Sequence, residues 1–232
     1  YNAFRIASEY QAARGRTVWI QLGWLYLDTS AILKKFTRSP DRDYVFHSNV
    51  FDLEGLRKLF ASRGREIGGV LIEAPTNPLI QTPDLEAIRA LCTEHQAVMI
   101  VDPTIASPYN IDVLPYCDVA VNSLTKYAAS EGDVIMGAVV VNPESPLAGL
   151  FRQHLPGKLA PVYSRDVSRL AAQIGDYKPL IARVNQTAPV VAEFLLKHPK
   201  VRNVNWAHHP NSRANFLKYA RRPDACASMI SF

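Results

Sequence analysis

Apolar residues along this chain gather into short continuous runs, each closed by a polar residue. Gly69-Val70-Leu71-Ile72 ends at Glu73, Val98-Met99-Ile100-Val101 at Asp102, and Asp118-Val119-Ala120-Val121 at Asn122 and Ser123. Runs of this length without alternation fit strands buried on both faces of a largely parallel sheet. Thr17 to Leu22 and Tyr44 to His47 predict two more strands, and Val134 to Val141, interrupted by Gly137, a further one with a close backbone approach. Helical patterns alternate with these runs. Thr29 to Phe36 predicts a short helix capped by Thr29 or Ser30, and Leu53 to Ser62 an amphipathic one. Thr82-Pro83-Asp84-Leu85-Glu86 combines a capping hydroxyl, Pro at the first helical position and acids in the first turn. Leu85, Ile88, Leu91 and Cys92 then mark the side that covers the sheet.

Pro75-Thr76-Asn77-Pro78 breaks regular structure at the carboxyl end of one strand. From Asp166 to His198 the pattern is helical but interrupted at Gly175, Pro179 and Pro189. Val201 to Trp206 and Ala227 to Phe232 read as strands of a second, incomplete domain. The alternation predicts an α/β fold with a mostly parallel central sheet flanked by helices. Residues 1–176 would form the large domain, and residues 177–232 a linker helix with the start of a smaller C-terminal domain.

With 232 residues and 48% hydrophobic content, the chain can bury a sizeable core and is not a disordered sequence. The net charge of +5 comes from scattered cations and local pairs such as Lys34-Lys35 and Arg221-Arg222. A solvated face accounts for them, and no aromatic-interleaved basic stripe argues for nucleic acid. Cys92, Cys117 and Cys226 are few, dispersed and odd in number, which predicts buried thiols in a reducing compartment and no disulfide framework or metal site. No apolar run approaches the ~20 residues that span a bilayer, and no signal peptide opens the chain. A cytoplasmic protein without a membrane partner is expected. Tyr1 at the start and the strand-like Met229-Ile230-Ser231-Phe232 at the end suggest a segment of something longer.

The chemistry concentrates at Lys126, which follows an apolar run in Ser123-Leu124-Thr125-Lys126-Tyr127. Ligands of open α/β sheets collect at the carboxyl ends of the strands. Asp102, Ser123, Thr125 and Lys126 would therefore converge on one crevice. A lysine amine that can be neutral condenses with carbonyls to a Schiff base. Pyridoxal phosphate (PLP) needs such a lysine, a carboxylate for its ring nitrogen and donors for its phosphate. Taken singly, each of these residues also reads as a strand-end polar group satisfied by loop backbone. Ser123-Leu124-Thr125-Lys126 also fits the Ser-x-x-Lys pattern of penicillin-binding enzymes, but the Lys-Thr-Gly partner is absent.

Five segments carry a family resemblance: Glu73-Ala74-Pro75-Thr76-Asn77-Pro78-Leu79, Val101-Asp102, Ser107-Pro108-Tyr109, Ser123-Leu124-Thr125-Lys126-Tyr127 and Gly132-Asp133-Val134. In this order and spacing they resemble the cysteine and methionine metabolism family of fold type I PLP-dependent transferases. The resemblance implies that Lys126 carries the cofactor, Asp102 partners its ring nitrogen, and Ser123 and Thr125 hold its phosphate. Asn77 would lie near the ring hydroxyl. Tyr26, with Thr29, resembles a Tyr-x-x-Thr segment whose tyrosine stacks on the ring and assists proton transfer; as a residue it reads equally well as a core aromatic beside Trp24. Pro103 stands where the family usually has Asn, and Ala129-Ser130-Glu131 replaces its Gly-Gly-His stretch.

Gln21 to Thr29 and Ser130-Glu131-Gly132-Asp133 look most like fungal-type cystathionine γ-synthases of the transsulfuration route to methionine. The implied reaction is γ-replacement, joining an O-acylhomoserine to cysteine in a homodimer or homotetramer. O-Acylhomoserine sulfhydrylase or cystathionine and methionine lyase chemistry shares the early steps. A truncated or degenerate, non-catalytic PLP-fold module is the alternative of another class.

Overall fold

The computed structural model describes all 232 residues, Tyr1–Phe232. Strands β1 (Val18–Leu22), β2 (Tyr44–His47), β3 (Ile67–Glu73), β4 (Val98–Asp102), β5 (Val119–Ser123) and β6 (Gly137–Val141) form one sheet in the order β2-β1-β3-β4-β5-β6. The first five are parallel and β6 runs antiparallel to β5. The predicted α/β class, with a mostly parallel sheet flanked by helices, is what the chain adopts.

The apolar runs are continuous because both sheet faces are covered. Val18, Ile20, Leu22, Val70, Ile72, Met99 and Val101 enter one buried cluster of 30 residues. Their alternate neighbours Trp19, Leu71, Val98, Ile100 and Val119 enter another of 13. Helix α1 (Asn2–Ala12) contributes Phe4 and Ile6 to the smaller cluster, and α6 (Ala148–Lys158) adds Phe151 and Leu155. Neither helix was anticipated from the sequence. On the opposite face lie α4 (Leu53–Arg63), with Leu56 and Phe60, and α5 (Leu85–Glu94), with Leu85, Ile88 and Cys92. Helices α2 (Leu27–Phe36) and α3 (Pro40–Asp43) connect β1 to β2.

Several boundaries differ from expectation, each for a local reason. Asp84, not Thr82, caps α5, its carboxylate accepting the Ala87 N–H at 3.1 Å. Helix α2 starts two residues before Thr29, with Tyr26 as an N-cap residue whose side chain makes no capping bond. The predicted strand from Val134 begins only at Gly137, because the backbone N–H and C=O of Met136 are engaged by Thr125 and Leu124 in the preceding turn.

Helices α7 (Ser164–Gln173) and α8 (Tyr177–Lys197) are separated at Gly175 as the sequence indicates. Neither Pro179 nor Pro189 stops α8. Pro179 sits in its first turn, where the missing N–H costs no intrahelical bond, whereas Pro189 is accommodated within the helix. Beyond α8 the two expected strands do not form. Asn205 and Ser231 make a single antiparallel bridge, and α9 (Pro210–Tyr219) lies between them. This C-terminal stretch joins the larger core through Ala207, Phe216, Tyr219, Cys226 and Ala227. Asn110 and Asn185 exchange amide bonds of 2.9 Å, and Asn110 donates to the Cys226 carbonyl at 2.6 Å, tying the stretch to the loop before β5.

Candidate active site

The chain moves from β1 to β2 on one side, then returns to place β3 on β1's other side. This reversal creates a switch point at the carboxyl edge between β1 and β3, where open α/β sheets form their crevices. Tyr26 follows β1, Glu73 ends β3, Asp102 ends β4 and Ser123 ends β5. Four consecutive strands thus deliver side chains to one edge, with Thr125 and Lys126 in the turn beyond β5.

Asp102 is partly buried, and its Oδ1 accepts the Thr104 N–H at 2.9 Å and the Thr104 hydroxyl at 2.5 Å. That hydroxyl oxygen in turn accepts the Ser123 N–H at 2.9 Å, so Thr104 locks the ends of β4 and β5 together. Burial raises the Asp102 carboxyl above its ordinary range, and the two Thr104 bonds oppose the rise. No cation neutralises it. Asp118, at the other edge of the sheet, is instead paired with Arg89 at 2.8 Å and accepts the Met99 N–H and the Ser145 hydroxyl. Buried charges are normally paired, so Asp102 fits a group that presents its own positive charge.

Glu73 is 4% exposed and is the register partner of Asp102 across β3 and β4. Burial, helped by the Asp102 charge, pushes its carboxyl up to about 8, while the backbone N–H groups of Tyr26 and Asn77 oppose the rise. The Tyr26 N–H lies 2.6 Å from Glu73 Oε1. Tyr26 itself is 52% exposed, so its ring is not a core aromatic in this chain. Asn77 occupies the turn after β3, which fully buried Thr76 braces by accepting the Gln81 N–H at 3.1 Å.

Lys126 is exposed. Its turn is held by backbone bonds from Leu124 and Thr125 to Met136 and by the Tyr127 phenol, which donates to the Ile105 carbonyl at 2.8 Å. The Thr125 hydroxyl donates to the Met136 carbonyl at 3.3 Å and accepts its N–H at 3.1 Å, which leaves the Ser123 hydroxyl the less committed donor. Sequence reasoning gave Glu73 and Thr104 no role. Thr104 was detectable as the second residue after an Asp, a spacing at which Asp side chains bond local backbone. Glu73 carries no comparable local signal.

Uncompensated Asp102, the exposed Lys126 amine and the Ser123 hydroxyl form a donor set that fits PLP. A sequence model described as Cys/Met metabolism PLP-dependent enzyme matches residues 13–232. The L-2-amino-4-chloropent-4-enoate dechlorinase/desaturase of Streptantibioticus cattleyicolor is 39% identical over 228 residues, covering 98% of this chain and 45% of that protein. Cystathionine gamma-synthase of Neurospora crassa is 32% identical over 198 residues, covering 85% and 32%. The crystal structure of cystathionine gamma-lyase from Lactobacillus plantarum superposes with a TM-score of 0.77 at 20% identity, over 97% of this chain and 58% of that one. This chain therefore spans less than half the length of these two curated relatives.

Proposed function

From the family to which the chain belongs, the Cys/Met metabolism PLP-dependent enzymes, we propose that it acts on a small amino acid carrying a leaving group at Cγ. The favoured reaction is γ-replacement of the cystathionine γ-synthase kind, joining an O-acylhomoserine and cysteine. Asp102 carries this reading: a partly buried carboxylate without a cation, at the carboxyl edge of the sheet and fixed by Thr104. When bound, the cofactor supplies an electron sink for the bond broken at Cα.

The remaining roles belong to side chains of the chain. Asp102 keeps a ring nitrogen protonated, and Thr104 keeps Asp102 aimed. Lys126 Nζ takes the proton from Cα, relays it, and then takes one from Cβ so that the Cγ substituent departs with its bonding electrons; Cβ and Cα regain protons once the thiol has added at Cγ. Its exposed side chain has the freedom to reach both carbons. Ser123 and Thr125 hold the phosphate, Asn77 the ring hydroxyl, and Tyr26 covers the ring face and assists proton transfer. Oligomeric assembly of the whole protein is part of the same proposal.

Elimination is the second reading, favoured by the 39% identity to the dechlorinase/desaturase over nearly the whole chain. The two part after the Cγ substituent leaves: replacement adds a thiol there, whereas elimination releases product without one. The test incubates the full-length, PLP-loaded protein with O-acylhomoserine and cysteine, then with 2-amino-4-chloropent-4-enoate. Cystathionine formation supports replacement. Keto-acid or chloride release without cystathionine supports elimination. Absence of a visible cofactor band, with Lys126 unlabelled after borohydride reduction, would leave the non-catalytic module.

A further inference from the structure

Glu73 is a buried carboxyl that the roles above do not use. It has no ion-pair partner, and its nearest charged neighbour on the sheet is another carboxyl, Asp102. Burying such a group without a cation is unfavourable. Its contacts are specific. Oε1 accepts the Tyr26 N–H at 2.6 Å, reaching across the switch point from β3 to the segment that follows β1. The Asn77 N–H also faces the carboxyl.

Tyr26 needs such an outside acceptor. At the N-cap of α2 its N–H has no acceptor within the helix, and the residue is 52% exposed. One side chain thereby fixes the two backbone segments that bear Tyr26 and Asn77.

We propose that Glu73 is a positioning residue of the cofactor crevice, its carboxyl acting as a hydrogen-bond acceptor that fixes Tyr26 and Asn77 over the carboxyl edge of the sheet. This rests on the reading of Tyr26 and Asn77 as cofactor-facing residues. Glu73→Gln keeps the acceptor oxygen and the volume, Glu73→Leu keeps volume alone, and Glu73→Ala removes both.

The test measures two quantities in the purified full-length protein: hydrogen exchange at the Tyr26 amide without cofactor, and PLP affinity from the visible band. Glu73→Leu and Glu73→Ala are expected to speed Tyr26 exchange and weaken PLP binding by roughly tenfold each, the loss of about one hydrogen bond. Glu73→Gln should restore both to within about twofold. Unchanged exchange in Glu73→Leu and Glu73→Ala, or a Gln variant that behaves like Leu, overturns the proposal. If Leu does not fold, the Gln and Ala pair still decides. Faster exchange with unchanged PLP affinity overturns the positioning role. Failure of the wild-type protein to bind PLP at all would count against the functional reading, a result separate from the exchange data.

Discussion

At the scale of single residues, the candidate site is a set of polar groups whose surroundings assign them different tasks. Lys126 is exposed and supports no packing. Lys126→Ala should abolish turnover while shifting unfolding free energy by no more than about 0.5 kcal/mol, the range for surface substitutions; urea denaturation beside a product assay checks both. Thr104 is the opposite case, since its hydroxyl donates to Asp102 and accepts from Ser123. Thr104→Val keeps the shape but leaves the Ser123 N–H and Asp102 short of partners. It should cost about 1–3 kcal/mol in urea unfolding, with Thr104→Ser recovering most of that.

Glu73 also gives a pH dependence of known sign. Its folded carboxyl lies at about 8, against an ordinary value of 4.5, so the folded state binds the proton more tightly. Its contribution to stability is complete below pH 4.5 and is lost as pH rises toward 8. Between these limits the cofactor-free protein should lose up to about 1.4 kcal/mol per pH unit from this group. Asp102, also raised, acts in the same direction. Denaturation midpoints across that range should flatten in Glu73→Gln, and an unchanged slope would exclude Glu73 as its source.

At the scale of elements, the sheet depends on close approaches as much as on its apolar runs. Gly69 lies in β3 where a Cβ would come within 2.5 Å of the Trp19 ring and 2.7 Å of the Val98 carbonyl oxygen. The backbone oxygen cannot swing aside. Gly69→Ala should destabilise by about 1–3 kcal/mol, as overpacked cores do, with the loss visible as a lower thermal midpoint. Short apolar runs bounded by polar residues made β3 and β4 legible, because strands buried on both faces have no polar face to encode. Strand pairing past Gly137 was less legible. The Met136 backbone groups bond to the preceding turn, a choice made by tertiary position.

At the scale of the whole molecule, the two buried clusters sandwich the sheet and leave polar chemistry at its edges. Cys92, Cys117 and Cys226 are all buried, and burial pushes their thiols up, to about 12 for Cys92 and about 11 for Cys226. Thiolate is the reactive form. A thiol reagent at neutral pH should therefore label the folded protein slowly and three thiols rapidly once denaturant is added; fast labelling of the folded protein would contradict this burial. No helix is long and apolar enough to cross a membrane.

By itself the sequence determined the α/β class, most strand positions, and the strand-end placement of Asp102, Ser123, Thr125 and Lys126. These depend on local periodicity and on polar residues that close apolar runs, both properties of neighbouring positions. Its motifs also carried the family. Tertiary structure alone decided that β3 lies beside β1, that Thr104 links Asp102 to Ser123, and that Glu73 reaches 47 positions back to Tyr26. Such contacts depend on strand order and register, which bring distant residues together without leaving any pattern along the chain.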